Sequence, residues 1–215
     1  MGDIKRKLDI KQLLEKKSHF LFGPRATGKS SLIMHELGEK ALIIDLLENA
    51  LYRRLSAVVI DKFQRIPELL NEVHRLIEKK GTHFLLTGSS ARKLKHHSVN
   101  LLAGRARQAE LFPLTFHEHP HFELEQYLQY GGLPSVVLSE EPQEELDAYV
   151  HTYLEQEIKA EALVNKLPAF SRFLELASLT SGTTLNLSAI SSDAGVSSTT
   201  LREYYQILED TFLGF

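Results

Sequence analysis

Residues Gly23-Pro24-Arg25-Ala26-Thr27-Gly28-Lys29-Ser30 follow the pattern Gly-x-x-x-x-Gly-Lys-Ser. Such a run can curl around a polyphosphate, because its glycines let the backbone come close and successive N–H groups cradle the phosphate oxygens. Lys29 is placed to reach the β and γ phosphates, and the Ser30 hydroxyl to ligate magnesium. The nucleotide-binding run is read as Gly23 to Ser31. ATP and Mg2+ are the expected cofactors.

Hydrolysis needs more than a cradle. It requires an acidic residue for magnesium at the end of a buried strand and a group that orients the attacking water. Asp61, closing Val58-Val59-Ile60, fits the magnesium role; a polar residue capping a strand-end turn is the plainer reading of the same position. Many such ATPases carry glutamate at the next position, and here it is Lys62. An ammonium has no lone pair to accept a proton, so it cannot act as a general base while charged. It can also pair with Asp61 and compete with magnesium. The expectation is a chain that binds Mg-ATP with weak or absent hydrolysis. One alternative is an active ATPase in which Glu68 or Asp45 orients water. Another is a DNA-binding regulator switched by nucleotide.

The elements that must hold these residues read as alternating strands and helices. Ser18 to Phe22 is a short buried strand before the glycine-rich run, and Ser30 to Leu37 a helix after it. Lys40 to Leu46, Ala57 to Asp61 and Thr82 to Gly88 are further apolar strands, with helices expected at Glu48 to Leu55 and Pro67 to Lys80. A fifth strand is expected at Ala106 to Leu111. Short apolar strands separated by helices imply an α/β fold with a parallel sheet covered on both faces. Ile4, Leu8, Leu13 and Leu14 mark an amphipathic N-terminal helix with a solvated lysine face. Beyond Thr115 the pattern turns helical, with helices expected at Glu123 to Tyr130, Gln143 to Val164 and Ala169 to Leu179. The expected division is a phosphate-loop domain at 1–115, a helical region at 116–182 and a winged helix-turn-helix-like unit, truncated in its β-wing, at 183–215.

The 215 residues suffice for a substantial core plus an appendage, and 43% hydrophobic with 25% charged residues is ordinary globular composition. A net charge of −3 implies no general affinity for polyanions. Without cysteine, disulfides and thiolate metal sites are excluded. No long apolar run follows the N-terminus, so neither a signal peptide nor a membrane span is expected, and a cytoplasmic location is the default.

Several stretches together resemble a known family. They are Phe20 to Leu32, Val59 to Leu70, Phe84 to Leu94, Leu102 to Ala106 and Tyr130-Gly131-Gly132-Leu133-Pro134. In that order they are similar to the prokaryotic AAA-type ATPases that carry a C-terminal domain of unknown function. The resemblance implies an AAA-type P-loop core, a helical region and a winged helix, followed by a further domain that this chain is expected to lack. It implies the magnesium aspartate at Asp61, a polar sensor at Ser89 or Ser90, and an arginine finger at Arg105 offered to a γ phosphate across a subunit contact, with Arg107 beside it. A helix cap for the serine pair and a solvated role for the arginines stay open.

Two further features point elsewhere. Alternate histidines in His117-Glu118-His119-Pro120-His121 would share one face of a strand, but Pro120 breaks it, and a solvated loop is expected rather than a metal site. The layout of Leu187 to Ser197 and Thr199 to Leu208 is that of a helix-turn-helix. From Asn186 onward the only basic residue is Arg202. Phosphate contacts dominate affinity for DNA, so DNA binding is not expected, and a homo-oligomer or protein contact is.

Overall fold

The computed structural model describes residues 4–38, 42–45, 57–61, 63, 69–90, 102–119, 121–153, 158 and 167–214. Outside them lie the helix expected at Glu48 to Leu55, Lys62, Glu68, His96-His97 and Pro120. The chain divides into two compact units, residues 1–140 and 141–215.

Unit 1 is built on five strands: β1 (Ser18–Phe22), β2 (Leu42–Asp45), β3 (Ala57–Asp61), β4 (His83–Gly88) and β5 (Ala106–Glu110). Their spatial order is β2-β3-β4-β1-β5 and every pairing is parallel. Parallel strands require crossover connections, which carry helices onto the faces. Two such helices are described, α2 (Lys29–Leu37) and α3 (Leu69–Lys80), while α1 (Ile10–Lys16) precedes β1. α1 starts where Asp9 accepts the Gln12 N–H at 2.9 Å. Its Ile10 N–H donates to Glu36 of α2 at 2.7 Å.

Successive side chains of β1 point to opposite faces. Leu21 enters a core with Ile10, Leu14, Leu32, Ile33, Leu37, Val59, Leu85 and Leu111. Phe20 and Phe22 face the other way and meet the Phe63 ring, with centroids 5.5 and 6.3 Å away. Each such side chain contributes about 1.5–3 kcal/mol on burial. β5 is different in kind. Its sequence Ala-Arg-Gln-Ala-Glu is charged and half exposed, as suits an edge strand protected from pairing with another chain. It ends at Glu110, one residue short of expectation; the Leu111 N–H still donates to Phe22 O at 2.7 Å, and its side chain is buried in the core.

The rest of unit 1 adds α4 (Leu124–Tyr130) and α5 (Pro134–Val137). The segment between them approaches the chain leaving β5. A Cβ on Gly132 would lie 2.5 Å from the Leu114 carbonyl oxygen, Leu114 N–H donates to the Gly132 carbonyl at 2.6 Å, and Tyr127 Oη donates to Leu114 O at 3.1 Å.

Unit 2 comprises α6 (Pro142–Tyr153), α7 (Leu167–Leu179), α8 (Leu187–Ala194) and α9 (Ser198–Asp210). Its core gathers Tyr153, Ile158, Phe170, Phe173, Ile190, Leu201, Tyr204 and Ile207. The Tyr204 ring stands edge-on to Phe170 at 5.0 Å and tilted to Phe173 at 5.4 Å. The helix-turn-helix layout is present: Gly195 closes α8 in the left-handed region (φ 67), and Ser197 caps α9 by accepting the Thr200 N–H at 3.1 Å. Where a β-wing was expected to begin, residues 211–214 form a turn, with Leu213 and Gly214 N–H groups both donating to Leu208 O.

Candidate nucleotide-binding site

The glycine-rich run leaves the carboxyl end of β1 and enters α2. Gly23 sits against the exit of β5 so closely that a Cβ there would lie 2.0 Å from the Leu111 carbonyl oxygen. Gly28 is the N-cap of α2 in the left-handed region (φ 83). Ala26, between them, also has positive φ (61). Leu32 N–H makes an i to i−4 bond, to Gly28 O at 2.9 Å; the N–H groups of Lys29, Ser30 and Ser31 precede it in the first turn, where a helix has no internal acceptors for its donors. An N-terminus of this kind favours an anion through both its donors and its dipole. No acidic residue occupies that turn.

The side chains complete the arrangement. Thr27 is fully buried and donates to Pro24 O at 2.9 Å, fixing the width of the loop. Lys29 Nζ donates to the carbonyls of Gly23 and Pro24, each at 2.7 Å, so its ammonium lies over the mouth of the loop. Ser30 Oγ donates to Asp61 Oδ2 at 3.4 Å. The two magnesium candidates are therefore adjacent, although 31 positions apart in sequence. A hydroxyl and a carboxylate are hard oxygen donors, and Mg2+ keeps several waters beside one or two such ligands. The pair fits that ion.

Asp61 is held from its other side by Thr87, whose hydroxyl donates to Oδ1. Thr87 is completely buried near the end of β4. β4 lies between β3 and β1, so a side chain there can touch the aspartate strand while its backbone pairs with the loop strand. Ser89 and Ser90 follow Gly88, whose register partner is Phe22, and so reach the same carboxyl edge as the loop. Asp45 is the register partner of Asp61 on β2, at that edge too. Pro24 and Arg25 stay within the loop.

Arg105 is not brought to this edge. It precedes β5, whose first residue pairs with the first residue of β1, and so lies about 20 Å along the strand from the start of the phosphate loop. Its guanidinium contacts Glu78 of α3 and the Ala103 carbonyl. Any approach to a γ phosphate would be to that of another copy. Arg107 is exposed on β5. Among the described residues no group of three or more histidine, aspartate and glutamate side chains could hold a metal; the His117 ring packs edge-on to Phe116, and His119 on Phe122 and Tyr127.

Two contributors were missed in the sequence. Thr87 had a weak signal, a lone hydroxyl in the apolar run Phe84-Leu85-Leu86. The other is a buried pair, Arg6 and Glu118, each only 6% exposed at the side chain, where the sequence predicts a solvated lysine face and a solvated loop. Arg6 Nε donates to Glu118 at 3.1 Å, Nη1 to Thr27 O at 2.6 Å and Nη2 to Phe112 O at 2.6 Å. Burial pushes the Glu118 carboxyl up, but N–H donors from Lys7 and Thr115, with the Arg6 bond and charge, outweigh it and bring it down to about 2.

The comparisons bear on the fold. Residues 15–119 match a family described as an AAA domain, and residues 121–215 match a domain of unknown function. The latter covers the helical region and helix-turn-helix themselves. An uncharacterized protein of Haemophilus influenzae is 27% identical over 174 residues, 72% of this chain and 44% of its own length; the chain thus spans under half of that relative. Among solved structures, a Walker-type ATPase of Pyrococcus abyssi superposes with a TM-score of 0.69 at 14% identity, over 94% of this chain and 87% of that one. The ORC1 protein of Aeropyrum pernix, in complex with DNA, gives a TM-score of 0.44 at 9% identity over 98% and 84%, too loose to argue from. The fold is an α/β P-loop NTPase fold. The matches support an AAA-type, nucleotide-binding, ATPase-like protein. No helix among the described residues is long and apolar enough to cross a membrane.

Proposed function

We propose that this AAA-type chain binds Mg-ATP at Gly23 to Ser31 and turns it over weakly or not at all. The observation that carries the reading is the meeting of Ser30 and Asp61, 3.4 Å apart at the start of α2. In this reading the loop N–H groups and Lys29 hold the phosphates, Ser30 and Asp61 hold magnesium, and Ser89 or Ser90 senses the γ phosphate. Magnesium, when bound, offsets phosphate charge. Thr87 orients the aspartate. Arg105 would act across a contact between copies, since its own loop is out of reach.

Weak turnover rests on the sequence, with Lys62 where a water-orienting glutamate is usual. A second reading, an active ATPase, is favoured by one feature: the strand register sets Asp45 beside Asp61 at the same sheet edge, where a carboxylate could orient water.

Titration calorimetry with Mg-ATP, combined with a phosphate-release assay, separates these. Binding lost in Lys29→Ala, without phosphate release by the unmodified protein, is the expected result. Turnover abolished by Asp45→Asn would establish the second reading. Full nucleotide affinity in both Lys29→Ala and Asp61→Ala would sink the site. If Lys62→Glu fails to raise turnover, position 62 is not the water-orienting one.

A further inference from the structure

We infer that Arg6 is a positioning residue for the phosphate loop, presenting the Gly28 N–H to nucleotide phosphate through its grip on the Thr27 carbonyl. The inference rests on the nucleotide reading above and adds a residue outside the loop motif.

The argument is geometric. The loop is fastened at both ends to the chain leaving β5. At its start, Gly23 lies against the Leu111 backbone at a distance no side chain would permit, and Leu111 N–H donates to Phe22 O at 2.7 Å. At its end, the Arg6 guanidinium spans from Thr27 O to Phe112 O, both at 2.6 Å. One planar group thus ties the last turn of the loop to the residue after Leu111. Its third direction is taken by Glu118, which is itself fixed by Lys7 N–H at 2.8 Å and Thr115 N–H at 3.1 Å.

A trans peptide sends its C=O and N–H in opposite directions, and no cis peptide is present among the described residues. Holding Thr27 O therefore aims the Gly28 N–H away from Arg6. Gly28 has unusual freedom, with positive φ and open space around a would-be Cβ apart from Arg6 Nη1 at 3.8 Å and Pro134 Cγ at 3.9 Å. A residue so free needs an outside restraint if its N–H is to be preorganised. Only a guanidinium meets all three acceptors at once, because its donors form a rigid planar fork; an ammonium is a single point. Burial of both charges adds a reason for the pair to stay closed.

The test compares Arg6→Lys and Arg6→Gln with the unmodified full chain, measuring affinity for Mg-ATP, Mg-ADP and adenosine alongside thermal melting. Expected are affinities for Mg-ATP and Mg-ADP about tenfold weaker in both variants, the scale of loss when a group that orients a direct ligand is removed. Adenosine binding stays unchanged, and Arg6→Lys, which keeps the ion pair with Glu118, melts closer to the unmodified protein than Arg6→Gln does. Mg-ATP affinity within twofold of the unmodified chain in Arg6→Lys would overturn the inference and leave the nucleotide site standing. Equal losses for adenosine and Mg-ATP would also overturn it, since a general loosening does not distinguish phosphates. Should Arg6→Gln fail to fold, Arg6→Lys carries the test alone. An unmodified chain that binds no Mg-ATP refutes this inference together with the nucleotide reading.

Discussion

Thr87 and Asp61 sit on neighbouring strands, and the Thr87 hydroxyl donates to Oδ1 of the Asp61 carboxylate while Ser30 donates to Oδ2. Each oxygen of the aspartate is thereby oriented by a different element, one at the strand between loop and aspartate, one at the start of α2. A carboxylate held this way keeps lone pairs in fixed directions for a hard cation.

Replacing Thr87 with valine keeps shape but removes the donor. The Mg2+ concentration needed for half-maximal nucleotide binding should rise about tenfold, while Thr87→Ser stays near the original value. Calorimetric titrations at stepped Mg2+ concentrations measure this; an unchanged Mg2+ requirement would remove Thr87 from the site.

At Gly23 the added methyl of an alanine would meet a backbone oxygen at 2.0 Å, and backbone cannot step aside as a side chain can. Gly23→Ala should lower unfolding free energy by about 3 kcal/mol, the upper part of the overpacking range. Gly104→Ala is the contrast. Among the described residues nothing lies within 4 Å of its would-be Cβ, and its φ of 74 is unfavourable, so it should cost about 1 kcal/mol. Urea unfolding of both variants gives the comparison.

Glu118 predicts an acid limb in stability. Its carboxyl falls from the ordinary 4.5 to about 2 on folding, so its contribution is complete above the unfolded value and is lost as pH falls through the folded one. The contribution at neutral pH is on the order of 3 kcal/mol. Stability should be level in this respect from pH 7 to 5 and decline from about pH 4.5 to 2. In Glu118→Gln that decline should shrink, with lower stability at pH 7. Melting temperatures across the range test this; an acid decline of unchanged size in Glu118→Gln would assign it to other carboxylates.

The start of α9 depends on one side chain. Ser197→Ala removes the acceptor for Thr200 N–H and should cost about 1 kcal/mol, whereas Ser197→Asp restores the cap and suits the helix dipole. Amide exchange at Thr200 and Leu201 should quicken in the alanine variant alone.

The sheet was legible because its inner strands are short apolar runs: Ser18 to Phe22, Val58 to Ile60 and Phe84 to Leu86 each read as buried, and the loop between β1 and α2 carries its own pattern. Parallel pairing followed from the alternation. What a linear reading misses is set by tertiary contact. Arg6 and Glu118 are 112 positions apart, and each looked like part of a solvated face because its neighbours Lys5, Lys7 and His117 are exposed. Pro134 to Val137 is too short for periodicity to show a helix. Arg105 carried a motif-level expectation that said nothing about which end of the sheet it would occupy.

The seat of Lys29 has a consequence for selectivity. Its ammonium already has two carbonyl acceptors, Gly23 O and Pro24 O, both at 2.7 Å. Association of a phosphate is then a swap of partners, and the incoming anion must outbid two well-made bonds. Chloride, a single weak acceptor, would gain little by the swap, whereas an oxyanion with several oxygens could meet the helix N-terminus and the lysine together. If the loop holds nucleotide as proposed, the two carbonyl bonds of Lys29 set a threshold that a bound anion has to exceed.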